Sequence, residues 1–366
     1  MKQLSSRQLG LTFAGSFLGA GYVSGQELWQ FFGRLGGAGY AGLLLAMALI
    51  FLFGLTLFRV AQATGAREMD QLVAGDGSAW LRAALNILQA AFLFGLAVIM
   101  CAGAGALFRQ VWGIPAWLGG LLFSGAVVLV ALRGIRGVVD TFSALVPVLA
   151  AATVAIGIAA RFWISVPAEL PAPAANPLLH WWPVSAVIYF SYNVFSTLGV
   201  LSPLGSAVKD RKTLLRGLLL GSAVLLAIAL SVLTAVKNGG AACRAELPML
   251  AAAGALSPVL ANVYALLLLL AMFGSCLCSM VALLDVCSQK FPAFRARRKT
   301  WLAVLSAAAL GCSTVGFGAL IGVIYPAFGI VNLFFLAVLA RRALRICPPR
   351  RPEFPRLNFH FLERRS

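Results

Sequence analysis

The chain has 366 residues, 61% of them hydrophobic and only 11% charged, yet 29 Lys and Arg against 11 Asp and Glu leave a formal charge of +18. A mean hydropathy of +0.93 excludes a soluble globular protein. The basic residues are spread over successive loops and a tail instead of one folded face, so the charge does not point to nucleic acid. Apolar runs near the ~20 residues that cross a bilayer recur from end to end. The expectation is one all-α polytopic membrane domain over 1–342, followed by a basic, Pro-rich cytoplasmic tail over 343–366 that contacts anionic lipid.

The first apolar run, 9–32, is interrupted by Gly19-Ala20-Gly21-Tyr22-Val23-Ser24-Gly25-Gln26-Glu27, which places a carboxylate at bilayer depth. This excludes a plain anchor, and the polar interruption is unlike the simple apolar core of a cleavable signal peptide. Unpaired backbone amides are costly in hydrocarbon, so irregular backbone there survives only in protein or beside a polar cavity. Unwinding frees N–H groups at the start of one half-helix and C=O groups at the end of the other, which suit an anionic group and a cation.

The further runs give about ten spans in all: 9–32, 36–61, 80–108, 115–132, 138–160, 183–206, 214–236, 258–286, 301–315 and 319–339. With a cytoplasmic amino terminus, the inner loops collect most of the arginines and lysines, including Arg59, Arg133, Lys209, Arg216 and Arg298. The outer side receives Arg34, Arg109, Arg161, Lys237 and Arg244. By the positive-inside rule both termini are therefore cytoplasmic, in a bacterial inner membrane. The outer connection 162–182 is Pro-rich and ends in His180-Trp181-Trp182-Pro183, an interfacial aromatic belt. The outer loop 237–257 contains Glu246-Leu247-Pro248-Met249, the expected start of a short helix over the outer mouth.

The sixth run repeats the peculiarity of the first. It carries Tyr189, Ser191, Tyr192, Asn193, Phe195, Ser196, Thr197, Gly199, Ser202 and Pro203 where lipid-facing helices hold aliphatics. Two interrupted spans five apart, starting from opposite sides, form the inverted-repeat pattern of secondary transporters, here about 7–161 and 180–342. The substrate site is then expected at the midplane between broken first and sixth helices.

The string Gly15-Ser16-Phe17-Leu18-Gly19-Ala20-Gly21-Tyr22-Val23-Ser24-Gly25-Gln26-Glu27, with Gln30-Phe31-Phe32 and Gly36 after it, resembles the opening of the YkvI-like bacterial membrane proteins. The Glu246-Leu247-Pro248-Met249 stretch resembles their outer loop. These look like distant members of the amino acid–polyamine–organocation superfamily, which implies the leucine-transporter fold, a ten-helix core and alternating access. The resemblance further implies that the backbone of Gly19, Ala20, Gly21, Tyr22 and Gly25, with Glu27, meets substrate. Tyr192, Asn193, Phe195, Ser196 and Thr197 would face it. In sodium-coupled relatives, hydroxyls of the eighth span complete a cation site with carbonyls of the first. This implies Ser275 and Ser279 with the carbonyls of Ala20 and Val23, although Cys276 replaces the usual second hydroxyl. No lysine lies between Val138 and Ala160, where some proton-coupled relatives carry one, so the reading leans to sodium.

Each of these residues has a plainer reading. Glu27 suits the positive end of an outer half-helix, Tyr189, Tyr192 and Phe195 suit packing, and Ser275 and Ser279 suit back-bonding to the preceding turn. Asn193 finds partners either in a neighbouring helix or in the site. Asp140 and Asp285 are expected to pair with Arg133, Arg136 or Lys290. Enzymatic chemistry has little support: there are two histidines, neither within a span, and the seven cysteines form no CxxC pair. No Walker-type loop occurs. The function expected is secondary transport of a small organic solute, most plausibly an amino acid or similar zwitterion, by symport with sodium or protons. A passive channel and a receptor that has lost turnover are the alternatives. No cofactor is expected beyond the coupling ion.

Overall fold

The structure, a computed structural model, describes residues 5–65, 79–133, 138–163, 176–201, 208, 210–238 and 244–346. Among these residues it is all-helical, with no strand. The chain opens with α1 (Ser6–Phe17), α2 (Ala20–Ser24) and α3 (Gln26–Phe31), then a 3-10 turn (Gly33–Leu35). Four long helices follow: α4 (Ala38–Thr64), α5 (Ala79–Trp112), α6 (Ala116–Arg133) and α7 (Val138–Trp163). The second part contains α8 (Trp182–Leu201), α9 (Arg211–Asn238), α10 (Pro248–Leu256), α11 (Pro258–Lys290), α12 (Pro292–Ala296), α13 (Arg298–Ser313) and α14 (Phe317–Ile346). Six of the described helices, α4, α5, α6, α9, α11 and α14, are long and apolar enough to cross a membrane. This is a multi-pass membrane protein.

Local chemistry fixes several ends. Ser5 caps α1 through a reciprocal box: Gln8 N donates to Ser5 Oγ at 3.2 Å and Ser5 N donates to Gln8 Oε1 at 3.0 Å. Asp210 precedes α9 and accepts from Thr213 N at 3.0 Å, and the N–H groups of Thr213 and Lys212 hold its carboxyl below the usual range. Pro248 opens α10 as its first residue, so the short helix expected in the loop 237–257 is present. Leu44, Ile87, Trp117, Leu129, Val259 and Val323 are exposed on the outside of the bundle, as lipid-facing residues would be.

Helix α1 lies along α9, α4 along α8, and α5 along α11, with α13 and α14 also against α5. The α1–α9 contact is close because both faces carry glycine. A Cβ added to Gly10 would stand 2.8 Å from the Gly217 carbonyl oxygen. The interrupted segment α2–α3 is thereby held inside the bundle, touching α7, α8, α9, α10, α11 and α14.

Candidate functional site

The first span is three helical pieces. Leu18 ends α1 with non-helical dihedrals, Gly19 is extended (φ −85°, ψ 167°), and Gly25 is left-handed at φ 84°. Only glycine adopts that last conformation without strain, and the site is also tight: a Cβ on Gly25 would stand 3.0 Å from both Met249 Cγ and Val236 Cγ2. Most freed backbone groups find partners. Ser24 Oγ donates to the Gly21 carbonyl at 3.0 Å and accepts from Gln26 N at 3.4 Å, stitching across the second break. The Val23 carbonyl accepts from Tyr264 Oη at 2.7 Å, and Tyr264 Oη lies 2.9 Å from Thr153 Oγ1. Among the described residues, the N–H groups of Ala20 and Gly21 have no acceptor. Gly19 is exposed, whereas residues 20–33 are buried.

Glu27, on the first turn of α3, is 4% exposed and is the one charged side chain among the buried described residues. Its carboxyl folds back over Gly21, where an added Cβ would lie 2.8 Å from Oε2. It faces the hydroxyls of Tyr189 and Tyr192 and the amide of Asn193, all from α8. Glu27 Oε1, Tyr189 Oη and Tyr192 Oη are buried and have no hydrogen-bond partner among the described residues. Aromatic rings wall this group: Phe31 lies 5.6 Å from Tyr192 and 5.3 Å from Tyr189, and Tyr192 stacks on Tyr325 of α14 at 4.5 Å. Tyr325 precedes Pro326, which lacks the N–H that would reach the Gly322 carbonyl. Asn176 Nδ2 supplies that hydrogen bond instead, at 2.9 Å. A carboxylate among ring faces and phenol oxygens is chemically suited to an organic ammonium group.

The expected residues fall into distinct places. Gly19, Ala20, Gly21, Gly25 and Glu27 surround the breaks. Tyr22 Oη instead donates to the Leu225 carbonyl at 2.7 Å, a helix-to-helix bond into α9. Tyr192 and Asn193 meet Glu27, and Asn193 Nδ2 also donates to the Tyr189 carbonyl at 3.1 Å. Phe195 packs edge-on to Phe92 at 5.5 Å. Over the described part of the sixth span, α8 is continuous to Leu201. Ser196 Oγ donates to the Asn193 carbonyl at 2.7 Å and Thr197 Oγ1 to the Val194 carbonyl at 3.0 Å, so these hydroxyls are satisfied without unwinding. The Ser202-Pro203 stretch lies outside the described residues.

On α11, Ser279 Oγ donates to the Ser275 carbonyl at 2.7 Å, and Cys276 Sγ points to the Ala97 carbonyl of α5 at 4.0 Å. The Val23 carbonyl and the Ser279 hydroxyl expected at a sodium site thus both take part in hydrogen bonds within the protein. Asp285 pairs with Arg298 at 2.7 Å, while the side chains of Asp140, Arg136 and Lys290 lie outside the described residues. Sequence reasoning missed Tyr325, Tyr264, Thr153 and Gln26. An intramembrane Tyr-Pro at 325–326 was the available signal for the first.

The site is covered on the side of α10. Gln110 Nε2 donates to the Leu247 carbonyl at 3.1 Å, Leu247 N donates to Gln110 Oε1 at 3.3 Å, and Arg109 pairs with Glu246 at 3.0 Å. These bonds tie the start of α10 to the end of α5 and seat Met249 over Gly25. At the opposite end of the site, Gly19 and Ser196 are exposed.

No family model matches the chain. It is a distant homologue of two proteins of Bacillus subtilis (strain 168). The uncharacterized membrane protein YkvI is 26% identical over 343 residues, covering 93% of this chain and 97% of the relative. The uncharacterized protein YyaD is 27% identical over 346 residues, covering 90% and 94%. Among solved structures, the chain is similar to MhsT in complex with L-phenylalanine, with a TM-score of 0.62, 16% identity and coverage of 94% and 92%. It is also similar to the Eremococcus coleocola manganese transporter (TM-score 0.56, 17% identity, 92% and 78% covered). The inward-facing conformation of Mhp1 gives a TM-score of 0.57 at 13% identity, with 92% and 76% covered. The chain therefore shares the leucine-transporter fold of these solved structures.

Proposed function

We propose that this protein is a secondary transporter of a small organic solute, an amino acid or related zwitterion, working by alternating access in the bacterial inner membrane with both termini cytoplasmic. The observation that carries this reading is the buried Glu27 carboxyl with an unpaired oxygen, set beside a broken helix whose Ala20 and Gly21 N–H groups also lack acceptors. The first group suits an ammonium and the second a carboxylate, so one zwitterion satisfies both. Gly19, Ala20, Gly21, Gly25, Glu27, Tyr192 and Asn193 then meet substrate, and Ser196 and Thr197 line the path from the inner side.

The packing supports an inverted repeat. Matching α1–α3 with α8, α4 with α9, α5 with α11, α6 with α13 and α7 with α14 exchanges the α1–α9 contact with α8–α4. It likewise exchanges α5–α13 with α11–α6 and α5–α14 with α11–α7. The Arg109–Glu246 and Gln110–Leu247 contacts close one access path, and the exposure of Gly19 and Ser196 fits the other being open. A thermal-shift screen of amino acids, amines and nucleobases, with and without sodium, tests the assignment. Stabilisation by amino acids is expected, and stabilisation by nucleobases alone would replace the zwitterion with another solute class.

A further inference from the structure

We infer that Glu27 holds a proton which the substrate's ammonium group displaces, so that the site exchanges one cation for the other. The inference rests on the transport reading above and goes beyond it by assigning the coupling ion, its carrier and its direction.

Three geometric observations lead to it. Glu27 is the one buried acid among the described residues, and no basic side chain among them pairs with it. The titratable groups that face it are phenols: Tyr22 from its own span, Tyr189 and Tyr192 from α8, and Tyr325 from α14. Helix α9 presents Val232 and Val236 toward the adjoining Gly25, and α10 presents Met249.

A lone carboxylate in such a place is strongly disfavoured unless a cation neutralises it. A proton does this, and so does an ammonium. The Oε1 atom has no hydrogen-bond partner among the described residues, and the ring faces of Phe31, Tyr192 and Tyr325 favour an ammonium arriving from the open side. The balance is simple: the carboxylic acid and the ammonium give a carboxylate–ammonium pair and one released proton. When the pair faces the other side and the ammonium leaves, a proton must return for the empty carrier to reorient. Solute and proton then move in opposite directions, which is exchange and not symport.

One of the oxygens expected to hold sodium points the same way: the Val23 carbonyl already accepts from the Tyr264 hydroxyl.

The test is infrared difference spectroscopy on the full-length protein in lipid, with phenethylamine as the ammonium probe and phenylacetate as the control that lacks it. A carboxylic-acid C=O stretch that disappears on Glu27→Gln is expected, and it should be lost when phenethylamine is added but not phenylacetate. A pH-indicator dye in weak buffer should register about one proton released per amine bound, and none from Glu27→Gln. Glu27→Asp keeps an acid and should retain a weaker, shifted signal, which separates titration from misfolding. If no acid band depends on Glu27, or if saturating phenethylamine leaves that band in place, the inference is overturned. Failure of the transport reading is distinguishable: the band and proton release would persist in a protein that shows no counterflow.

Discussion

Tyr264 Oη donates to the Val23 carbonyl across 2.7 Å, closing with a phenol the oxygen expected to bind a cation. The hydroxyl comes from α11 and is 2.9 Å from Thr153 of α7, so three separate segments meet at one backbone oxygen of the broken helix. Removing it leaves a buried carbonyl unsatisfied, which costs about 1–3 kcal/mol. Tyr264→Phe should lower the melting temperature, and sodium should partly restore it because the freed carbonyl becomes available to a cation. A sodium response equal to that of the parent would show that the hydroxyl does not occupy a cation's place.

The serines of α11 give the complementary test. Ser279 Oγ is already bonded to the Ser275 carbonyl, so Ser275→Ala with Ser279→Ala should leave uptake within about twofold of the parent, since a back-bonded hydroxyl contributes little. Uptake should also be independent of sodium. A severalfold rise in sodium's half-saturation concentration in the double variant would restore the sodium site that the sequence suggests.

Gly21 and Gly25 are sensitive for different reasons. At Gly25 the left-handed backbone alone costs a substituted residue about 1–2 kcal/mol, and a side chain would meet Met249 and Val236. At Gly21 even alanine would displace the Glu27 carboxyl, 2.8 Å from the added carbon. Gly25→Leu should abolish transport with normal membrane insertion, whereas Gly21→Ala should chiefly weaken substrate binding, measured as a raised KM. Full activity of both variants would move the site elsewhere.

The cover over the site depends on a neutral clamp more than on an ion pair. The Arg109–Glu246 pair is solvent-exposed and worth about 1 kcal/mol at most. Gln110 makes two bonds to the Leu247 backbone. In a Met249→Cys background, an impermeant maleimide should label Gln110→Leu faster than Arg109→Ala. Equal labelling rates would assign the clamp to the ion pair.

Much of this was readable from the chain because the signals are local. The glycine cluster around Gly19 to Gly25, the acid at Glu27 and the Pro248 helix start each combine residue types that hydrocarbon disfavours or turns require. In the sixth span Ser196 and Thr197 satisfy themselves on their own helix, and the Ser202-Pro203 part of the expected interruption lies outside the described residues. Tyr264 and Thr153 reach the site from two other helices, and their contributions depend on tertiary packing that no sequence spacing encodes. The orientation rests on the charge asymmetry of the loops: impermeant maleimide on intact cells should label Cys243 and spare Cys347, both outside the described residues.

Counterflow tests the central claim most directly. Proteoliposomes loaded with an unlabelled amino-acid mixture and diluted into a trace of the same mixture carrying radiolabel should accumulate label transiently above equilibrium, and Glu27→Gln should abolish the overshoot. A carrier with one alternately exposed site gives this result without any imposed gradient. Label that merely equilibrates, at a rate proportional to its concentration and without an overshoot, would show a passive pathway and contradict the transporter reading.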